Sequence, residues 1–293
     1  MPVGRTAVIP TPVISMFLVA LLAFGAAAPA MTQQEIKPLG RRIVGGKPTT
    51  VEMHPWQVAL DITLDGESYL CGGSIVADRW VLTAAHCLAP STKPSAVKVK
   101  SGATHFRTQG EWTDIDLIVI HDAYDSTSHE NDLALVKLRT RPQGQVIPLA
   151  TAKLTIPVGQ PLEVTGWGAA SEDGEPGNDL LEASVPYVDN ATCNAPAAYD
   201  GAVKPGMICA GYRDGGLDSC QGDSGGPLVW RTSDGPVLVG VVSWGEGCAR
   251  KLRYGVYTRT ESYADWVGKV VAGGALGETD GSMRRTGTKG ASR

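Results

Sequence analysis

Asp218-Ser219-Cys220-Gln221-Gly222-Asp223-Ser224-Gly225-Gly226-Pro227 decides the reading of this 293-residue chain. One serine, Ser224, stands between Gly-Asp and Gly-Gly. Glycines on both sides free the backbone to approach a substrate carbonyl, where the amides of Gly222 and Ser224 are placed to stabilise an oxyanion. A serine hydroxyl is a weak nucleophile without a base. Thr83-Ala84-Ala85-His86-Cys87 supplies an imidazole, and Asn131-Asp132-Leu133-Ala134-Leu135 supplies a carboxylate to orient it. Asp132 comes just before an alternating segment, so pattern alone also allows a solvated carboxylate at a strand start. Only the company of His86 and Ser224 gives it a chemical role.

Outward from these motifs, short apolar or alternating segments recur between Gly, Pro, Asp and Asn turns, which predicts an all-β protein. The clearest are 56–64, 80–83, 96–100, 115–121, 133–138, 161–165, 237–242 and 255–258. Tyr263, Trp266, Val267 and Val270 instead fall at i, i+3, i+4 and i+7 and predict one amphipathic helix, stopped by Gly273-Gly274. Gly-x-Ser-x-Gly also occurs in α/β-hydrolases, but those need helical crossovers between strands, which this pattern lacks.

Taken in order, Ala-Ala-His-Cys, Asn-Asp-Leu-Ala-Leu and Gly-Asp-Ser-Gly-Gly-Pro resemble the trypsin-like serine proteases of the chymotrypsin fold, in particular secreted trypsins of bacterial type. The resemblance runs from Ile43 to about Val271 and includes Thr165-Gly166-Trp167-Gly168 and Val242-Ser243-Trp244-Gly245. It implies an all-β fold of two six-stranded antiparallel β-barrels with a C-terminal α-helix, the barrels joined near residues 145–157. Ser224 is then the nucleophile, His86 the proton carrier and Asp132 the orienting carboxylate. Asp218, six positions before the nucleophile, lies at the base of the pocket for the side chain preceding the scissile bond. Ser219, Ser243, Trp244, Gly245, Gly247 and Gly255 line that pocket, and a buried carboxylate there selects Arg or Lys. Arg41-Arg42 before Ile43-Val44-Gly45-Gly46 resembles an activation junction: cleavage after Arg42 frees the Ile43 amine to pair with Asp223. Tyr254, where digestive trypsins carry Pro, resembles the sodium-responsive branch. The loop 102–112 offers only Glu111 to a calcium ion, so no calcium is expected there, and no cofactor is called for.

Residues 1–30 read as a secretory signal, with Arg5, the apolar run from Val13 to Ala28, and Ala28-Pro29-Ala30 as a small-residue cleavage site. The run is short for a membrane span. Residues 31–42 follow as an activation propeptide, 43–272 as the protease domain and 273–293 as a disordered tail. Six cysteines in a secreted chain read as disulfides, and spacing leaves 15 pairings open. The resemblance implies Cys71 with Cys87, Cys193 with Cys209 and Cys220 with Cys248; no Cys-x-x-Cys spacing supports zinc.

The chain's formal charge of −4 understates the acidity of its domain. Loss of residues 1–42 removes four basic residues and one acidic, leaving −7; the tail from Ala272 carries a net +2, leaving −9 on the domain. Such a field disfavours nucleic acid and favours cationic partners, mainly through encounter rate. The expectation is a secreted, monomeric serine endopeptidase acting on proteins and peptides after Arg or Lys, met by protein protease inhibitors, with neither membrane nor nucleic acid as partner. The alternatives are an activating protease with few substrates and a catalytically silent homologue used for binding.

Overall fold

Alternating burial along the strands curls two sheets into closed rings. The computed structural model describes Met1 and residues 45–88, 90–169 and 171–276. Contacts divide the chain into a segment, Met1–Lys37, and a body, Pro38–Arg293; all the described strands and helices belong to the body. The expected signal, propeptide and activation junction, with Arg42 and Ile43, lie outside the described residues, as does the tail beyond Leu276.

The first barrel runs β2 (Gln57–Leu64), β3 (Glu67–Ala77), β4 (Trp80–Thr83), β7 (Ala134–Leu138), β6 (Glu111–Ile120) and β5 (Val97–Ser101), which returns to β2. The second runs β8 (Pro161–Gly166), β9 (Leu181–Val188), β10 (Met207–Ala210), β13 (Gly255–Arg259), β12 (Gly235–Trp244) and β11 (Pro227–Thr232), which pairs back to β8; β1 (Lys47–Pro48) adds to β9. All pairings between these strands are antiparallel. Inside the first, Val58, Leu60, Ile62, Val81, Leu82, Val99 and Leu135 are fully buried; inside the second, Leu162, Val164, Val185, Ile208, Leu228 and Tyr257 are. Each such aliphatic side chain contributes about 1.5–3 kcal/mol by leaving water.

The alternation located β4 to the residue and seven other strands to within a few positions. It missed β1, β3, β9, β10 and β11. In β3 the pair Gly72-Gly73 resembles a turn but marks close approach instead: a Cβ on Gly72 would stand 2.8 Å from the Gly226 Cα, and one on Gly73 would stand 2.7 Å from Val81. The first of these contacts brings β3 against the nucleophile loop. In β9, Pro186 argues against a strand, yet it pairs with Pro161 at the end of the ladder, where its missing N–H costs little.

The chain crosses between barrels over a few residues. Gln145 and Ile147 donate to the Pro55 and Ile75 carbonyls of the first barrel, whereas Pro148 and Ala150 exchange hydrogen bonds with Leu238 on β12. All three disulfides implied by the resemblance are present, with Cys193 at the end of the short helix α1 (Asn190–Cys193). After β13 a 3-10 turn leads into α2 (Ala264–Leu276), whose Tyr263–Val267 side packs on the core of the first barrel. The helix does not stop at Gly273-Gly274 as expected but runs through Leu276. Glycine in a helix costs about 1 kcal/mol, yet it keeps its N–H donor, so two glycines weaken the last turn without ending it.

Candidate active site

His86 lies in a 3-10 turn just beyond β4, and Asp132 comes two residues before β7, so pairing of β4 with β7 brings their ends together. Asp132 is fully buried. Its carboxylate accepts the His86 ring N–H (Nδ1 to Oδ2, 2.7 Å), the His86 backbone amide (2.8 Å) and the Ser243 hydroxyl (2.6 Å). Burial alone would raise this carboxyl; the His86 ring, the Ser243 hydroxyl and the His86 amide together override it and hold the group below the ordinary carboxylate range. The backbone on both sides is tied as well: Thr258 donates to the Asp132 carbonyl at 2.9 Å, and Tyr263 donates to the Asn131 side chain at 3.0 Å. An imidazole held this way presents Nε2 outward, free to take a proton.

The second barrel brings Ser224 beside the turn that carries His86, with Cys87 between them. The Gly72 amide donates to the Ser224 carbonyl at 2.7 Å, and the Cys87 sulfur lies 3.7 Å from that carbonyl oxygen and 3.9 Å from His86 Nε2. Gly225 adopts φ +78°, and a Cβ there would fall 2.2 Å from the Thr83 hydroxyl, so only glycine lets this loop lie against the end of β4. Gly222 adopts φ +91°, a conformation that favours glycine in this loop. Between them Asp223 points inward with no exposure, accepting from the amides of Gly168 (2.8 Å) and Cys220 (3.0 Å). Burial, only partly offset by those two amides, pushes its carboxyl up to about 7. No cation pairs with it among the described residues.

A cavity of about 200 Å³ opens beside Ser224, lined by Asp218, Ser219, Gln221, Ser243, Trp244, Gly245, Gly247 and Gly255 among others. Every pocket residue expected from the sequence is in this lining. Asp218 is 4% exposed; it accepts from the Ala249 amide at 3.1 Å and from Ser219 at 3.5 Å. Burial outweighs these donors and raises its carboxyl to about 6. At Gly255 a side chain is excluded on steric grounds: a Cβ there would come within 2.8 Å of the Asp218 carboxylate. Three other features of the site escaped the sequence reading. Ser243, expected as a pocket residue, also anchors Asp132. His129 sits between the rings of His86 (6.2 Å) and Trp244 (6.3 Å). Arg250, whose side chain lies against Gly247 of the pocket lining, pairs with Glu172. Position three before Asp132 was the only sequence signal for His129. Tyr254 is buried, and its carbonyl accepts the Tyr199 hydroxyl at 2.7 Å. The described residues hold no group of three or more metal-ligating side chains and no helix long and apolar enough to cross a membrane.

This geometry agrees with comparison to known proteins. The profile of the family described as Trypsin matches residues 43–267. Transmembrane protease serine 11E of Mus musculus is 41% identical over 77% of this chain and 54% of its own length; transmembrane protease serine 11C of Mus musculus is 38% identical over 78% and 53%. Transmembrane protease serine 5 of Homo sapiens is 36% identical over 79% of this chain and 52% of its own length. The chain belongs to the trypsin family of serine proteases. It spans about half the length of the curated relatives it matches.

Proposed function

We propose that the protein is a serine endopeptidase that cleaves after Arg or Lys through an acyl-enzyme on Ser224. His86 takes the Ser224 proton and passes it to the leaving amine, Asp132 holds the imidazole in the required tautomer, and the Gly222 and Ser224 amides stabilise the oxyanion. The observation that carries the specificity is Asp218, a buried carboxylate with no cation beside it among the described residues, in the lining of a glycine-rich cavity that opens on Ser224. A substrate guanidinium or ammonium supplies the missing charge. The relatives bear names of transmembrane proteases. We read the run from Val13 to Ala28 as a secretory signal, because it falls short of the roughly 20 residues a span needs.

The same reading makes the chain a zymogen. Asp223 has no counter-ion among the described residues, and cleavage after Arg42 creates an ammonium at Ile43 to meet it, ordering the Gly222 loop. Arg42 suits the enzyme's own pocket, which makes self-activation an available route. A peptide-library cleavage profile tests the specificity: Arg and Lys should dominate at the residue before the cut, and a profile led by aromatic or small residues refutes it. A secreted product should appear in the medium beginning at Ile43.

A further inference from the structure

His54 is a buried histidine that the proposed catalysis does not use. It is fully buried, and its ring packs edge-on against Trp56 at 5.9 Å. Nε2 lies 2.8 Å from Glu182 Oε2 on β9 and 3.1 Å from the Thr49 hydroxyl, while Nδ1 faces the Arg231 guanidinium of β11 at 3.5 Å. A guanidinium can only donate, so Nδ1 is the acceptor and the ring proton sits on Nε2, donated to the carboxylate. Arg231 is held in turn by Glu163 of β8 (2.7 Å), by the Met53 carbonyl (3.0 Å) and by the face of Trp56; Glu182 also takes Lys47 of β1 at 2.8 Å. The charged groups around the ring are therefore Glu182, Glu163 and Arg231, with Lys47 behind Glu182.

This cluster joins the stretch that follows the expected activation junction to three strands of the second barrel. Backbone alone gives that stretch little hold: β1 is two residues long, Pro48 contributes no N–H, and beyond it the Thr49 amide donates to the Leu180 carbonyl at 3.0 Å. Lys47, Thr49 and His54 add three side-chain ties onto Glu182. Upstream, Gly45 lies against the loop that leads to Asp218, where a Cβ would stand 2.6 Å from the Gly216 carbonyl.

We propose that Glu182 and the neutral ring of His54 anchor the activated terminus, holding residues 45–54 so that the freed Ile43 amine keeps its place at Asp223, and that acid releases the anchor. This rests on the zymogen reading above. Both are positioning residues. A second proton on His54 goes to Nδ1, where it points at a guanidinium that cannot accept it. Burial lowers the ring's pKa and outweighs Glu182, which raises it, so the folded value lies below the ordinary 6.5. The stability contributed by the ring is full above about pH 6.5 and is lost as pH falls through the folded value. Glu182 stays charged over that range: burial alone would raise it, but Lys47, His54 and Thr49 hold it at about 2.

The test follows the Ile43 amine with cyanate, which carbamylates an amine only when it is free and uncharged. Ser224→Ala protein is processed to begin at Ile43, mass spectrometry reads the label, and rates are taken relative to a short peptide of the same amino-terminal sequence. Glu182→Gln should label Ile43 on the order of ten-fold faster than its parent near pH 7.5, the effect of weakening one charge-assisted hydrogen bond. Thr49→Val, a milder change at the same carboxylate, should label a few-fold faster, which tests the anchor if Glu182→Gln does not fold. His54→Gln can donate to Glu182 and accept from Arg231 without titrating; it should match the parent near pH 7.5 and label several-fold more slowly than it near pH 5.5. Thr260→Val removes a buried 2.6 Å hydrogen bond to the Leu238 carbonyl outside the anchor, and should lower the melting temperature while leaving Ile43 protected. Labelling in Glu182→Gln and Thr49→Val no faster than in Thr260→Val overturns the anchor, and an acid rise identical in the parent and His54→Gln overturns its dependence on His54. A parent labelled as fast as the peptide near pH 7.5 overturns the zymogen reading instead.

Discussion

Replacing Asp218 with Asn should make the empty enzyme more stable and the working enzyme far less active, two effects of opposite sign from one charge. Asp218 is 4% exposed and accepts one good amide hydrogen bond, so its ionised form is under-solvated and its carboxyl rises from an ordinary 3.8 to about 6. Two pKa units correspond to a penalty on the order of 3 kcal/mol on the ionised form at neutral pH. Because the folded value lies above the unfolded one, this group's stabilising contribution is full below about pH 3.8 and is lost as pH rises through about 6. The Asn variant has no such loss, so its melting temperature should exceed the wild type's near pH 7.5 and match it near pH 4. These measurements belong on a Ser224→Ala background, where self-digestion is absent. With an arginyl substrate the sign reverses: the guanidinium is buried opposite an uncharged amide, at a cost of about 3–5 kcal/mol, or roughly 10² to 10⁴ in kcat/KM. A phenylalanyl substrate should lose little. In wild type the arginyl-to-phenylalanyl ratio should fall as pH drops through about 6, since taking the ratio cancels ionisations common to both substrates. Equal losses for the two substrates, or a variant less stable at neutral pH, would refute the reasoning.

Ser224→Ala should abolish acyl-enzyme formation, and Asp132→Asn should lower kcat on the order of 10⁴ by stabilising the wrong His86 tautomer, as single-turnover hydrolysis of an arginyl ester will report. Near wild-type rates in either variant contradict the assigned roles. An Arg42→Gln precursor should stay uncut and inactive, and Asp223→Asn should be cut but inactive; amino-terminal sequencing and ester turnover decide both. Pairing with Asp223 raises the pKa of the Ile43 amine, so activity should be kept below that value and lost as pH rises through it. For the cation site proposed near Tyr254, kcat/KM should be several-fold higher in sodium chloride than in choline chloride at equal ionic strength, and Tyr254→Pro should abolish the difference. Identical rates in the two salts dismiss the site.

Local sequence was enough for every group that performs chemistry. His86, Asp132, Ser224 and Asp218 announce themselves through their neighbours, because a nucleophile loop needs glycines beside it and a motif is short enough to be read along the chain. Strands such as β4 and β7 were legible for the same reason: their short, mostly apolar runs are local. The supports were not legible. Ser243 reaches Asp132 from a position 111 residues away, Thr258 from 126, and Tyr263 reaches Asn131 from 132. Gly72-Gly73 imitates a turn until β3 meets the nucleophile loop, and Gly273-Gly274 imitates a stop inside a helix that continues. A hydroxyl's partner, the depth of a carboxylate and the reason for a glycine are properties of what packs against them. The sequence alone nominated the reacting groups; the docking of two barrels decided how deeply Asp132, Asp218 and Asp223 are buried, and with it which of their charges are matched among the described residues.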